Sequence, residues 1–124
     1  MAKKILIVED SQMVLEIIGD VLREAKFEVF MTKSGVESVD IAKEHKPDLI
    51  LLDLILPDLD GFGCLASYKN DAATKDIPII MLTAQDSQET VRRCMELGAI
   101  GCFIKHRTPP KELIAKIKPI LGIS

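Results

Sequence analysis

The sequence predicts an α/β fold in which helices cover both faces of a five-stranded parallel sheet. Apolar runs of strand length alternate five times with stretches of helical spacing. The runs at 5–8 and 49–52 are continuously apolar, as in strands that are covered on both faces. Because strand–helix–strand crossovers are right-handed, this alternation predicts a doubly wound sheet, for which the order 2-1-3-4-5 is expected.

The first half of the chain supplies two strand–helix units and the strand of a third. The first predicted strand is Ile5 to Val8, and apolar residues at helical spacing follow from Ser11 to Ala25. Residues 27–31 alternate weakly, which is typical of an edge strand. The sequence Ser34-Gly35-Val36-Glu37 resembles a capping box that opens a helix. Residues 49–52 then form the strand that is expected to be most buried.

The second half repeats the pattern. A turn at 57–61 precedes a helix marked by Phe62 and Leu65, and Ile79 to Leu82 form the fourth predicted strand. The sequence Asp86-Ser87-Gln88-Glu89 resembles another capping box, and Gly98 is expected to end the helix that follows.

The last unit consists of a short strand at 101–104 and a helix. Thr108 is expected to cap this helix, with Pro109 at its first position. Pro119 lacks an amide hydrogen and would clash with the preceding turn, so the helix is expected to kink or stop near Lys118.

Composition bounds the class of protein. The chain has 124 residues, and residues 1–124 are expected to form one compact domain. A hydrophobic content of 48% argues against intrinsic disorder. The net charge of −3, from 16 basic and 19 acidic side chains, argues against direct nucleic-acid binding.

The sequence also argues against a membrane or secreted protein. No apolar stretch approaches the ~20 residues of a membrane helix, and the start is too short for a signal peptide. Cys64, Cys94 and Cys102 show no paired spacing, and with only two histidines in the chain a structural zinc site is not expected. Reduced, partly buried thiols in a cytoplasmic protein are the expected state.

Polar residues follow the predicted strands at one edge of the sheet. Glu9 and Asp10 end the first strand, Asp53 the third, Thr83 the fourth and Lys105 the fifth. In an open α/β sheet, ligands bind beyond the carboxyl ends of the strands. Asp53 would occupy the centre of this group, because its strand lies in the middle of the expected order.

These residue types suit phosphoryl transfer. Clustered carboxylates favour a hard cation, and Mg²⁺ accepts one or two carboxylates with waters and a phosphoryl oxygen. A carboxylate such as Asp53 can form an aspartyl phosphate, whose charge Lys105 and Thr83 could help to neutralise. Taken singly, Asp53 could instead be a helix cap or a buried salt-bridge partner, and Glu9-Asp10 could cap the first helix. Thr83 could be a turn residue, and Lys105 a solvated strand end or the partner of one buried acid.

The ordered motifs resemble the response-regulator receiver domains of two-component signalling. They are Ile5 to Asp10, Asp53 to Gly61, Leu82 to Ala84, and Gly98 to Lys105. The resemblance covers nearly the whole chain and implies the flavodoxin-like, CheY-like sheet order.

The resemblance assigns roles at the sheet edge. Asp53 would be the phosphoacceptor, while Thr83 and Lys105 would contact the phosphoryl group. Asp10 would bind Mg²⁺ directly and Glu9 through water, and the Ile55 backbone carbonyl would add a ligand alongside Asp53 itself.

The resemblance also implies partners and a signalling role. A histidine kinase or a histidine phosphotransfer protein would donate the phosphoryl group. Residues from about 86 to 121 would form a face for a downstream protein or an output domain. Ile55 and Gln85 occupy places that tune the lifetime of the phosphorylated state. The protein would be a switch rather than an enzyme, with at most slow self-phosphorylation and self-dephosphorylation.

Two positions depart from the family pattern. Cys102 stands where an aromatic residue commonly turns inward on activation, and the neighbouring Phe103 should face the other side of the sheet. His106 follows Lys105 where proline is common, and a cis bond before a residue other than proline costs about 3 kcal/mol. Trans geometry with a shifted loop, or a strained bond, is expected there.

Three alternatives remain. A phosphohydrolase of the haloacid-dehalogenase kind would need a second aspartate at position 55, which is Ile. A flavin carrier would need a phosphate loop after the first strand, where Glu9 and Asp10 would repel a phosphate. A phosphorylation-independent interaction module keeps the fold and is the closest alternative. Whether the chain acts alone or belongs to a longer protein stays open.

Overall fold

The computed structural model describes residues 2–84, 87–105 and 107–123, in which strands and helices alternate. The strands are β1 (Lys4–Val8), β2 (Glu28–Thr32), β3 (Leu49–Asp53), β4 (Ile79–Thr83) and β5 (Gly101–Ile104). The helices are α1 (Gln12–Glu24), α2 (Gly35–His45), α3 (Gly61–Lys69), α4 (Gln88–Glu96) and α5 (Pro110–Ile120).

The strands form one parallel sheet in the order β2-β1-β3-β4-β5, as the sequence predicts. The central strands β3 and β4 are buried at every position, which explains their continuous apolar runs. The edge strand β2 begins at the exposed Glu28, in keeping with its weaker alternation. Because all the strands run the same way, their carboxyl ends meet at one edge of the sheet.

Side chains satisfy free amide groups at the helix starts. Ser11 Oγ accepts a hydrogen bond from the Val14 amide at the start of α1, and Ser34 Oγ accepts one from the Glu37 amide at the start of α2. Asp60 caps α3 in the same way, which contributes about 1 kcal/mol for a typical cap. The turn before α3 therefore serves also as its helix start.

Two predicted helix starts are wrong by one residue. Ser87 caps α4 by accepting from the Thr90 amide, so the helix begins one position later than a box opened by Asp86 would imply. The cap position of α5 is held by Pro109 rather than Thr108, and no side chain caps it. Consecutive prolines explain the second shift, because Pro110 at the first helical position has no amide hydrogen that needs a partner.

Pro119 does not stop α5 where the sequence analysis expects. The helix continues through it to Ile120, because Pro119 removes only one hydrogen bond so close to the end. The amide of Leu121 still donates to the Ile117 carbonyl, and the amide of Ile123 donates to the Lys118 carbonyl.

The core has two layers, one on each face of the sheet. The α2–α4 face consists of α2, α3 and α4 packed on the side chains of Leu6, Val8, Ile50, Leu52, Ile79 and Met81. The α1–α5 face consists of α1 and α5 packed on the side chains of Ile5, Ile7, Leu49, Leu51, Ile80 and Leu82. Complete burial of one such side chain contributes roughly 1.5–3 kcal/mol. None of the helices in the described ranges has the length and apolar character that a bilayer span requires.

Candidate functional site

The predicted polar residues lie at the carboxyl edge of the sheet. Asp53 ends β3 and pairs in register with Leu82, so Thr83 lies one residue beyond it on the neighbouring strand. Thr83 in turn pairs with Ile104, which precedes Lys105. The edge therefore presents Asp53, Thr83 and Lys105 on three adjacent strands, while Glu9 follows β1 on the other side of β3.

Lys105 joins the two buried carboxylates of this edge. Its Nζ lies 3.1 Å from Asp53 Oδ1. The same ammonium lies 3.0 Å from Glu9 Oε1 and 2.9 Å from Glu9 Oε2. Asp53 is 6% exposed and Glu9 is 1% exposed, so both charges are held away from bulk water. The alternative interpretation from the sequence, in which Lys105 pairs with one buried acid, is therefore incomplete, because Lys105 pairs with two.

The surroundings of Glu9 are unusual for a carboxylate. Burial raises its pKa to about 7, and the nearby charge of Asp53 adds to the rise, while the bond from Lys105 opposes it. Glu9 Oε2 makes no hydrogen bond within the described part of the chain, although it lies close to the ammonium. A buried acid with an oxygen lacking a donor favours the approach of a further cation.

The Lys105 ammonium is held in its charged form. Burial alone would lower its pKa, but the hydrogen bond to Glu9 and the charge of Asp53 outweigh burial and leave the pKa above its ordinary value. The site therefore contains a permanent positive charge beside the carboxylate that the sequence marks as the acceptor.

The other predicted residues lie around this group. Thr83 is 1% exposed at the end of β4. Asp10 is exposed immediately after Glu9, and Ile55 is 63% exposed two residues after Asp53. The Ile55 amide points back toward the site and donates to Asp53 Oδ1 at 3.4 Å.

These residues fit a magnesium ion of limited protein ligation. Within residues 2–84, 87–105 and 107–123, no three His, Cys, Asp or Glu side chains come close enough to hold a metal by themselves. Mg²⁺ needs fewer, since it keeps several waters and uses one or two carboxylates. The buried Glu9 Oε2, which lacks a hydrogen-bond donor in the described part of the chain, and the exposed Asp10 that follows it are carboxylates of the kind that such an ion binds.

Of the two departures from the family pattern, Cys102 lies in β5 and within the described residues. The half-buried Cys102 packs on the α2–α4 face, whereas Phe103 is buried on the α1–α5 face, so the predicted opposition of the two side chains is confirmed. The Cys94, Cys64 and Cys102 thiols are free, as expected. His106 and Gln85 lie outside the described residues, and so does the bond that joins Lys105 to His106.

Sequence reasoning missed the role of Asp58, which it read only as part of a turn. Its carboxylate accepts hydrogen bonds from Ser34 Oγ at 2.6 Å, from the Gly35 amide at 2.8 Å and from the Val36 amide at 3.2 Å. The capping box at Ser34 marked the start of α2. Nothing in the spacing indicated that a side chain more than twenty residues away would join it.

Comparisons with known proteins agree with this geometry. A family model described as the response regulator receiver domain matches residues 5–118. The chain belongs to this family. The family consists of signalling switches that interact with histidine kinases and downstream effectors.

Individual relatives match this receiver domain over nearly its whole length. The polar-differentiation response regulator DivK of Brucella ovis is 33% identical over 98% of this chain and 98% of its own. The chemotaxis protein CheY4 of Vibrio cholerae has a TM-score of 0.90 at 27% identity, covering 97% of this chain and 99% of the other. The receiver domain of the sensor histidine kinase PA1611 of Pseudomonas aeruginosa, solved with a magnesium ion in its active-site cleft, has a TM-score of 0.89 at 28% identity, covering 98% and 99%.

Proposed function

We propose that residues 1–124 form one receiver domain whose Asp53 accepts a phosphoryl group from a histidine kinase or a histidine phosphotransfer protein. The carrying observation is the Lys105 ammonium, which lies 3.1 Å from Asp53 Oδ1 and is shared with the buried Glu9. This places a fixed positive charge where the new negative charge would form.

The transfer is a direct exchange at phosphorus. The bond between phosphorus and the donor imidazole nitrogen breaks, and a bond forms between phosphorus and an Asp53 carboxylate oxygen. Asp53 is nearly buried, which limits attack by water on the acyl phosphate once it has formed. The Thr83 hydroxyl and Lys105 would bond to phosphoryl oxygens, since Thr83 ends the strand next to β3 and the Lys105 ammonium lies 3.1 Å from Asp53 Oδ1.

The proposed metal ligands are Asp10 directly, Glu9 through water, Asp53, and the Ile55 backbone carbonyl. Bound Mg²⁺ would neutralise charge on the phosphoryl oxygens. The receiver domain of the Pseudomonas aeruginosa kinase, which holds a magnesium ion in its active-site cleft, supports a magnesium site in this region of the fold. Glu9 supports it as well, because its buried Oε2 has no hydrogen-bond donor within the described residues and is free to bind a metal-bound water.

Phosphorylation would act by shifting a conformational equilibrium. It adds roughly −1.5 to −2 charges at neutral pH, and Lys105 then has a third anion to bind in place of Glu9 or Asp53. The residues from about 86 to 121 include α4, β5 and α5 and would carry the change to a downstream protein or an output domain. Cys102 lies in this face, on the side of α4.

Intact mass spectrometry tests the proposal. The protein is incubated with acetyl phosphate and Mg²⁺ beside Asp53→Asn, with Asp76→Asn as a matched change at the opposite edge of the sheet. The wild type and Asp76→Asn should each gain one acid-labile phosphoryl group. Asp53→Asn should gain none, and chelation of Mg²⁺ should abolish the gain in the wild type and in Asp76→Asn.

A second assay covers receivers that react poorly with small donors. Beryllofluoride with Mg²⁺ mimics the phosphoryl group and should perturb the amide NMR signals of residues around Asp53. If neither phosphorylation nor beryllofluoride binding occurs in the wild type, the phosphorylation switch is excluded and an interaction module independent of phosphorylation takes its place.

A further inference from the structure

The segment between β3 and α3 carries the Ile55 carbonyl but has no regular structure of its own. Hydrogen bonds fix its two ends. The Leu54 amide donates to the Leu82 carbonyl at 3.2 Å, and the Gly61 amide donates to the Leu54 carbonyl at 2.7 Å. Between these points the Ile55 amide donates to Asp53 Oδ1 at 3.4 Å and the Leu56 side chain is buried in the core, while the rest of the segment is placed by contacts of its middle.

Asp58 provides these contacts by reaching across to α2. Its Oδ2 accepts from Ser34 Oγ at 2.6 Å and from the Val36 amide at 3.2 Å, while its Oδ1 accepts from the Gly35 amide at 2.8 Å. The two amides belong to the first turn of α2, where the helix dipole favours a negative charge. The Ser34 hydroxyl and these amides hold the pKa of Asp58 at about 2, so the carboxylate is ionised at physiological pH.

The partner of Asp58 is itself fixed in place. A Cβ at Gly35 would lie 2.6 Å from Cys64 Sγ and 2.8 Å from the Leu59 carbonyl oxygen, so α2, α3 and the segment meet without spare room. The Gly35 carbonyl accepts from Ser38 Oγ at 2.6 Å, and Ser38 Oγ accepts from the Tyr68 hydroxyl at 2.5 Å. The first turn of α2 is thereby bound to the buried side of α3.

We infer that Asp58 is a positioning residue for the metal site: by fastening the β3–α3 segment to α2, it sets the place of the Ile55 carbonyl and so the affinity for Mg²⁺. The inference rests on the proposed function, which makes that carbonyl a ligand. Outer contacts that orient metal ligands commonly change metal affinity by about 10–100-fold, and one acting through the backbone should have a smaller effect.

The test is a Mg²⁺ titration of the unphosphorylated protein, followed by the amide NMR signals near Asp53. The variants are Asp58→Ala and Asp58→Asn. Asp71→Ala is the matched control, because Asp71 is also an acid of lowered pKa, bound to Lys43 at 2.9 Å and to the Ala73 amide at 2.8 Å, but it follows α3 at the other edge of the sheet. Thermal unfolding of each variant is recorded alongside.

Asp58→Ala should weaken Mg²⁺ binding by about 3–10-fold, while Asp71→Ala should change it less than about twofold. Asp58→Asn keeps one acceptor oxygen and should lie between the wild type and Asp58→Ala. It also serves as the test variant if Asp58→Ala unfolds at the working temperature. A purely structural role would lower the melting temperature of Asp58→Ala and leave its Mg²⁺ affinity unchanged.

The two proposals fail in different ways. If the wild type binds Mg²⁺ and the folded Asp58 variants bind it equally well, the positioning role is wrong and the proposed function stands. If the wild type itself shows no Mg²⁺ binding at Asp53, the metal site and the inference built on it are both wrong.

Discussion

The two faces of the sheet differ in the kinds of side chain that form their cores. Among the described residues, the buried cluster of the α1–α5 face contains only Ile, Leu and Phe side chains. The α2–α4 face contains the three cysteines and the buried chain of hydrogen bonds from Tyr68 through Ser38 to the Gly35 carbonyl. Apolar packing accepts many arrangements of similar volume, whereas a hydrogen-bonded core specifies one.

The two faces also differ in how closely their elements meet near the carboxyl edge of the sheet. A groove of about 240 Å³ opens between α1 and α5, lined mainly by apolar side chains that include Val14, Ile17, Leu82 and Phe103. The α2–α4 face instead meets the β3–α3 segment at Gly35, where no room remains for a Cβ. The structure thus ties the proposed metal-binding segment to the face whose geometry is more tightly specified.

The largest expected effect is a difference between two leucine truncations. Leu52 is fully buried on the α2–α4 face, and Leu82 is 3% exposed beside the groove. Leu52→Ala should cost about 3–5 kcal/mol of unfolding free energy, and Leu82→Ala about 2–3 kcal/mol, because side chains along an open groove can relax into the space. Urea denaturation measures both. An equal or larger cost for Leu82→Ala would contradict the contrast.

The next effect is a loss of stability in alkali that arises on the α2–α4 face. Burial raises the pKa of Cys64 to about 11, above its ordinary value of 9.0. The unfolded chain therefore loses this proton first as the pH rises. The stabilisation is complete below pH 9 and is lost as the pH passes about 11, at up to about 3 kcal/mol for this fully buried thiol.

Denaturation between pH 8 and pH 11 checks this expectation. Cys64→Ala should show a shallower fall in stability than the wild type over that interval. The control is Leu113→Ala, which truncates a buried side chain of the α1–α5 face and introduces no change in titration. Parallel slopes for the wild type and Cys64→Ala would count against the thiol as the source.

A smaller effect is expected for the buried hydroxyl pair. Tyr68→Phe removes the donor to Ser38 Oγ and should cost about 1 kcal/mol, the typical net value of one hydrogen bond. A double-mutant cycle with Ser38→Ala separates this bond from the other effects of each change. If the losses of unfolding free energy in the two single variants add up to the loss in the double variant, Tyr68 and Ser38 are not coupled. Packing alone would then hold α3 against α2.

The smallest effect concerns the rim of the groove. Ile17 is 47% exposed, and Ile17→Ser should change the unfolding free energy by about 0.5 kcal/mol or less. The neighbouring Ile18 is 8% exposed, and Ile18→Ser should cost several times more because it places a hydroxyl in the core. Chemical denaturation of the two variants measures the contrast. If Ile17→Ser and Ile18→Ser lower the unfolding free energy by similar amounts, Ile17 is buried in solution and the groove is closed there.

Hydrophobic spacing predicted the order of the elements and the sheet because both follow from local patterns. The positions of the strand ends then predicted that Glu9, Asp53 and Lys105 meet at one edge. In the structure, Lys105 Nζ lies within 3.1 Å of a carboxylate oxygen of each acid. The helix starts at Ser87 and Pro109 were missed by one residue, because adjacent polar or proline residues offer competing caps. The bond from Ser34 to Asp58 could not be predicted, since it depends on how two loops pack in three dimensions.

The ion pair between Lys105 and Glu9 joins residues that are 96 positions apart. At 5–20 residues per second, a ribosome would make Lys105 roughly 5–20 s after Glu9. During synthesis, both acids of the site thus exist well before the cation that balances them. If β1 docks against β3 early, Glu9 would be favoured in its protonated form because Lys105 is not yet present. When β5 joins the sheet, the Lys105 ammonium would balance the negative charge of the two acids.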